Sequence, residues 1–281
     1  MDDTAALLSS PIATALAAVF GAIWGSFCNV VIARVPRGES VVRPGSRCPA
    51  CGTPIRAADN LPVFSYLILR GRCRSCRAPI SPRYPLVELL AALLAAAIWW
   101  RFVASDPGQV AGIRLARFAC YFAFAGVLLV LSFIDLDTQL LPDVITLPSI
   151  PILYLAAFAA HGPGWLARLI GAAAAYLTFR LIADFYYYVL KREGLGLGDG
   201  KLLALVGAVL GWQALPLVVF AAAFTGAAVS LPLVLLARRR GGGGEPLRRL
   251  QVPFGPFLAA AAIAYLLLQP WLAAWLELPL G

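Results

Sequence analysis

Two aspartates and four cysteines hold most of the chemistry this sequence could perform. Asp135 lies in the run Phe133-Ile134-Asp135-Leu136-Asp137-Thr138-Gln139-Leu140-Leu141-Pro142-Asp143, and Asp199 in Gly194-Leu195-Gly196-Leu197-Gly198-Asp199-Gly200-Lys201. Both runs border long apolar stretches. An ionisable side chain at membrane depth is costly, so its presence is by default a functional hypothesis. Two carboxylates brought together cannot both ionise easily. One keeps a proton while the other activates water, the division of labour on which aspartic proteolysis depends. Asp135 and Asp137 stand two apart and point away from each other if helical. Asp135 and Asp199 belong to separate elements and can face across a cleft. The alternating glycines around Asp199 let a bound peptide or a neighbouring helix approach the backbone. Neither a dinucleotide fingerprint nor a phosphate loop is present, since Leu195 and Leu202 stand at positions a phosphate loop needs for Gly and Ser or Thr.

Four of the six cysteines form Cys48-Pro-Ala-Cys51 and Cys73-Arg-Ser-Cys76. Two such knuckles can place four thiolates tetrahedrally around one ion, with Zn–S near ~2.3 Å. The segment reads as cytoplasmic, where disulfides are rare, so a metal is expected over two disulfides. Four thiolates leave no open position for water, so the zinc expected at Cys48, Cys51, Cys73 and Cys76 is structural. Arg47, Arg70, Arg72, Arg74 and Arg77 would offset the negative charge of such a site, or meet lipid headgroups or a substrate. Cys28 and Cys120 lie in apolar runs and read as buried structural thiols.

The other titratable residues carry weaker signals. Asp137 and Asp143 read as helix caps or headgroup-level charges as well as functional acids. Asp184, one turn after Arg180, reads as a structural ion pair. Glu88 follows Tyr84-Pro85 near a helix start, where a carboxylate suits the positive dipole end, and structural and functional readings both stand. His161 is alone and is assigned nothing. A nucleophilic Ser with a His base is missing, as is H-E-x-x-H, so serine and zinc protease chemistries lack their parts.

Positioning these groups falls to membrane helices. The chain of 281 residues is 61% hydrophobic and 13% charged, with mean hydropathy +0.82. A soluble domain would be nearer ~25% charged. Eight apolar segments approach the length of a bilayer-spanning helix: about 11–33, 84–101, 115–134, 144–160, 165–190, 201–211, 214–237 and 256–276. The sixth is short, and Gly211-Trp212-Gln213 would also suit a re-entrant turn, leaving seven spans open. The expected fold is an all-α polytopic membrane protein of about eight transmembrane helices. Its parts are a first helix at 1–33, a small cytoplasmic zinc-binding domain at 34–83 between helices 1 and 2, and a transmembrane aspartic peptidase domain at 84–281. Segment 34–83 is too short for a self-sufficient apolar core and needs a staple. Asp2 and Asp3 precede the first apolar run without any Lys or Arg, unlike a cleaved signal peptide.

Orientation follows from basic residues. With the N-terminus outside, segments 34–83, 135–143, 191–201 and 238–255 are cytoplasmic, and they hold eighteen of the 23 Lys and Arg. The net charge of +9 is thereby explained without nucleic acid, which is excluded as a partner. Arg238 to Glu245 reads as a flexible basic linker meeting anionic lipid.

At these residues the chain resembles the type IV prepilin peptidases, the leader peptidases and N-methyltransferases of type IV pili and type II secretion. The likeness covers nearly the whole length. It includes Gly25-Ser26-Phe27-Cys28-Asn29-Val30-Val31-Ile32-Ala33-Arg34-Val35-Pro36, both cysteine knuckles, Arg83-Tyr84-Pro85-Leu86-Val87-Glu88 and the two aspartate runs, and ends with Pro253-Phe254-Gly255-Pro256. The resemblance implies that Asp135 and Asp199 are the catalytic pair. It implies prepilin and pseudopilin substrates, each with a short basic leader, Gly at the cut and a following hydrophobic helix. It also implies N-methylation of the new terminus with S-adenosylmethionine as methyl donor, and a multi-pass location in the bacterial inner membrane. Thr138 stands where many members carry His, and Cys28 where Leu is more usual.

Two readings from other classes compete. A proton-coupled transporter would also use intramembrane Asp and Arg and glycine-broken helices. However, no inverted hydropathy repeat is visible and the acids gather at one membrane edge. A zinc-scaffold membrane protein without chemistry is the other.

Overall fold

The structure is a computed structural model that describes residues 3–189, 191, 196–239 and 253–276. The expected Gly194-Leu195 and most of the linker Arg238 to Glu245 lie outside the described residues. Within the described residues every extended regular element is helical, with two isolated β-bridges besides. The chain divides into two compact units, Met1–Ile134 and Asp135–Gly281.

The first unit opens with the short α1 (Asp3–Leu8) and the long α2 (Pro11–Arg34). Ser10 caps α2 by accepting from the Ala13 N–H at 3.2 Å, and Pro11 supplies a first residue whose missing N–H goes unmissed. A small head follows, containing α3 (Phe64–Ile68). Then α4 (Arg83–Trp99) runs on through a π-helical turn, Trp100–Ala104. Helices α2 and α4 cross at Gly21 and Gly25, small residues four apart of the kind that let membrane helices touch backbone to backbone. A Cβ on Gly21 would sit 2.5 Å from the Ala91 carbonyl oxygen. Helix α5 (Ala111–Thr138) joins them through aromatic contacts. Phe118 and Phe122 stack at 5.5 Å, and Phe20 and Trp24 pack against Phe122. At the end of the unit away from the head, the fully buried Arg114 donates to the Val103 carbonyl and to Ser9 Oγ.

The second unit comprises the end of α5 with α6 (Asp143–Ala159), α7 (Trp165–Tyr188), α8 (Leu197–Leu210), α9 (Ala214–Arg239) and α10 (Gly255–Leu276). Helix α8 is its core. Every residue from Leu202 to Leu210 is buried, and α6, α7, α9 and α10 all contact it. A helix apolar on every side has no solvent-facing stripe and must be enclosed. Gly171 of α7 and Gly207 of α8 make the closest crossing: a Cβ on Gly207 would lie 2.4 Å from the Gly171 carbonyl carbon. Gly211, at φ 80, stops α8. Arg168 is buried with its guanidinium 4.6 Å from the Phe158 ring centre.

Each of the eight expected apolar segments is a helix. Five are long and apolar enough to cross a membrane: Pro11–Arg37, Arg83–Ala104, Ala111–Thr138, Trp165–Tyr188 and Ala214–Pro232. Helix α6 and the stretch Gly255–Gln269 of α10 are apolar but shorter, and α8 has 14 residues. The protein is therefore a multi-pass helical membrane protein, and eight complete crossings are not established by helix length.

Candidate active site and metal centre

Asp135 comes from the last turn of α5 and Asp199 from the first turn of α8, both within the second unit. Asp135 is 6% exposed. Its Oδ2 accepts the Gly255 N–H, at the start of α10, at 3.0 Å. An α-helix N-terminus carries unsatisfied N–H groups and the positive dipole end, so α10 is aimed at a carboxylate. Asp199 stands at the third position of α8, at the corresponding end of another helix. It is half-buried and within electrostatic reach of Asp135. The fold thus brings together two carboxylates 64 positions apart in the chain, each at a helix N-terminus.

The glycines beside Asp199 serve neighbouring elements. A Cβ on Gly198 would lie 3.2 Å from Leu141, and one on Gly200 would lie 2.6 Å from Phe179 Cβ. The start of α8 is thereby pressed against the α5–α6 connection and against α7. Lys201, one turn into α8, pairs with Asp143 at the start of α6 at 2.5 Å. Asp143 therefore sits in the first turn of its helix, as one expected reading held, and also ties that helix to α8. Asp137 is exposed and on a different face from Asp135. Asp184 pairs with Arg180 at 3.0 Å, as expected.

In the head of the first unit, the Sγ atoms of Cys48, Cys51, Cys73 and Cys76 all lie within 4.8 Å of one another. Cys48 and Cys76 are 3.8 Å apart. A tetrahedron with metal–sulfur bonds of ~2.3 Å has sulfur–sulfur edges of about 3.8 Å. The donors therefore fit a structural four-thiolate metal site. The Thr53 hydroxyl, 3.2 Å from Cys51 Sγ, brings that thiol down to about 6, whereas within the same cluster Cys76 is pushed up to about 11. The two knuckles are copies of one another. Arg47 bridges Pro54 as Arg72 bridges Pro79. The Gly52 N–H donates to the Cys48 carbonyl at 2.8 Å, as the Arg77 N–H donates to that of Cys73 at 3.0 Å. Cys28 and Cys120 are buried, 2% and 4% exposed.

Glu88 has a structural partner. It accepts the Val63 N–H at 2.7 Å, across from α4 to the residue preceding α3. Val63 has φ 64, a strained conformation for a β-branched residue, and the carboxylate holds it there. Arg74 embraces Asp59 with Nε at 2.8 Å, which holds the Asp59 carboxyl below its usual range.

Gly255 was missed as a site residue by sequence reasoning, although it lies in the quoted Pro253-Phe254-Gly255-Pro256 run. A Cβ there would lie 2.6 Å from Asp135 Oδ2, so the position must stay bare. Lys201 was also missed; its signal was a cation directly after the glycine–aspartate run.

A buried bundle with paired carboxylates, joined to a tetracysteine head, defines a helical membrane protein of the paired-aspartate kind. Residues 19–102 match the Bacterial Peptidase A24 N-terminal domain and residues 122–231 the Type IV leader peptidase family. The chain is 39% identical to a prepilin leader peptidase/N-methyltransferase of Aeromonas hydrophila, over 92% of this chain and 91% of that one. It is 36% identical to one from Myxococcus xanthus, over 91% and 90% of the two chains. The corresponding figures for one from Pseudomonas aeruginosa are 38% identity over 91% and 90%. No solved structure matches. The chain belongs to the type IV leader peptidase family.

Proposed function

We propose that this protein cleaves the leader from type IV prepilins and type II secretion pseudopilins at the inner membrane, and then methylates the new N-terminal amine. The observation that carries the peptidase reading is the approach of Asp135 and Asp199 from two helices inside one compact unit. One carboxylate takes a proton from water as its oxygen attacks the scissile carbonyl carbon. The other gives its proton to the carbonyl oxygen. Collapse of the tetrahedral species breaks the C–N bond, and the proton taken from water goes to the departing amine. The two acids titrate as a pair, so both are needed and neither is permanently acid or base. No finding supports the transporter alternative.

Zinc is the ion best suited to the four thiolates, and it would supply structure only, stapling a head of some fifty residues. Segment 34–83 then faces the cytoplasm with the N-terminus outside, and the peptidase residues follow in 84–281. The partners are the prepilin-type substrates and membrane lipid. Asp135→Asn and Asp199→Asn should each abolish cleavage of a purified prepilin by gel shift while the protein still inserts. Full activity in either variant would defeat the assignment.

A further inference from the structure

Helix α3 presents an apolar face that nothing in the first unit covers. Phe64, Leu67 and Ile68 stand at i, i+3 and i+4, the spacing that puts side chains on one side of a helix. They are 69%, 65% and 72% exposed, and Leu61, three residues earlier, is 54% exposed. The opposite side is anchored. Ser65 is buried, and its hydroxyl donates to the Ala58 carbonyl at 3.1 Å and accepts the Leu61 N–H at 2.9 Å. Hydrogen bonds on its back thus hold the apolar face outward, whereas a soluble domain turns such a stripe to its core.

The level of α3 says what covers it. Glu88 of α4 holds Val63, the residue before α3, at 2.7 Å. Gly25 of α2 lies against the same glutamate, since a Cβ there would be 2.7 Å from the Glu88 Cα. Glu88 is about 7 Å inside the first residue of α4, and Gly25 about 13 Å inside the last residue of α2. The span Arg83–Ala104 has 22 residues, about 33 Å, little more than the roughly 30 Å hydrocarbon core. Its first turns therefore occupy the membrane boundary, and α3 starts beside them. Charge continues the pattern. Next to Ile68 a groove runs between Arg70, Arg72, Arg74 and Arg77. Asp59 takes Arg74, but Arg70, Arg72 and Arg77 are exposed and have no ion-pair partner among the described residues. A four-thiolate zinc site is a dianion and draws cations near, yet that role leaves the apolar face unexplained.

We propose that α3 is an interfacial foot of the head. Phe64, Leu67 and Ile68 enter the acyl boundary of the surrounding phospholipid layer, and Arg70, Arg72 and Arg77 receive its phosphates. An apolar face flanked by arginines matches a leaflet in order, hydrocarbon and then phosphate. The ends of α2 and α4 tether the head, and the foot adds a third attachment that fixes its tilt. The competing occupant, a prepilin with a short basic leader, would bring like charge to the arginines.

The test uses the full zinc-loaded chain in vesicles of phosphatidylethanolamine and phosphatidylglycerol that contain a phospholipid with a diazirine on its acyl chain. Photolysis labels the side chains that touch the acyl region, and peptide mass spectrometry locates them. Helices α2 and α4 are the positive control. The stretch around Val42, 78% exposed in the same head, is the negative one. Label in residues 61–68 should exceed that around Val42 at least five-fold, and equal labelling overturns the foot. Arg70→Gln, Arg72→Gln and Arg77→Gln together should lower label in 61–68 at least two-fold, with zinc near one per chain verifying the fold. Unchanged label overturns the phosphate seat. If that variant loses its zinc, wild type in phosphatidylcholine vesicles decides: label in 61–68 should fall at least two-fold without the anionic lipid, and unchanged label overturns the seat. Excess prepilin should leave the label in place; its displacement makes the face a substrate seat and overturns the lipid assignment.

Discussion

Replacing Gly255 by alanine places one methyl group where Asp135 now sits. The added carbon would lie 2.6 Å from Oδ2 and 3.2 Å from Cγ, well inside contact distance. Gly255 has no left-handed φ, so alanine strains no torsion there and the effect isolates this contact. Either the carboxylate or the first turn of α10 must move, and the 3.0 Å bond from the Gly255 N–H is the first casualty. A hydrogen bond to a charged group contributes about 1.5–3 kcal/mol. At ~1.4 kcal/mol per tenfold in rate, cleavage should slow by roughly 10- to 150-fold. The assay is single-turnover cleavage of a purified prepilin by full-length protein in detergent, with leader affinity measured separately. The rate constant should fall while affinity for the leader changes little, because the proposed role of the displaced carboxylate is at the scissile bond. If Gly255→Ala cleaves within two-fold of wild type, the α10 terminus does not position Asp135 for catalysis.

Metal analysis of the purified protein should find one zinc per chain, and Cys48→Ser should lose it and open the head to protease. Arg77 has φ 61 at the place where the matched knuckle has Gly52 at φ 69. A left-handed non-glycine residue costs about 1–2 kcal/mol, so Arg77→Gly should slow zinc release to a chelator, whereas Gly52→Ala should hasten it. Gly207→Val should cost at least about 1–3 kcal/mol, since its nearest neighbours are backbone atoms of Gly171 that cannot turn aside. A thermal midpoint unchanged from wild type would contradict that crossing.

The helices were legible because apolar runs of this length permit little else. Asp135 and Asp199 stood out in the sequence because charges are rare among such residues. The contact between Asp135 and Gly255 was hidden for a physical reason. Its donor is a backbone N–H, which every residue but proline has, and it reaches across 120 positions. The duplicated knuckle could have been read directly, as Arg47-Cys48 to Pro54-Ile55 recurs in Arg72-Cys73 to Pro79-Ile80. Glu88 was undecidable in sequence, because its partner is a strained turn 25 residues away whose conformation no local pattern announces.

The level of Asp199 along α7 follows from helix lengths and crossings. At 1.5 Å per residue, the 14 residues of α8 extend about 21 Å, short of the roughly 30 Å hydrocarbon core. Helix α7, with 24 residues, extends about 36 Å. The two register at Gly171 with Gly207 and at Phe179 with Gly200. Phe179 lies nine residues before Tyr188, the last of α7, and Asp199 is one residue beyond Gly200 toward that end, so Asp199 lies about 12 Å short of the end of α7. Tyr186, Tyr187 and Tyr188 are exposed there, the placement expected of aromatic residues at a membrane interface. Asp199 is therefore set back about two turns from the Tyr188 end of α7.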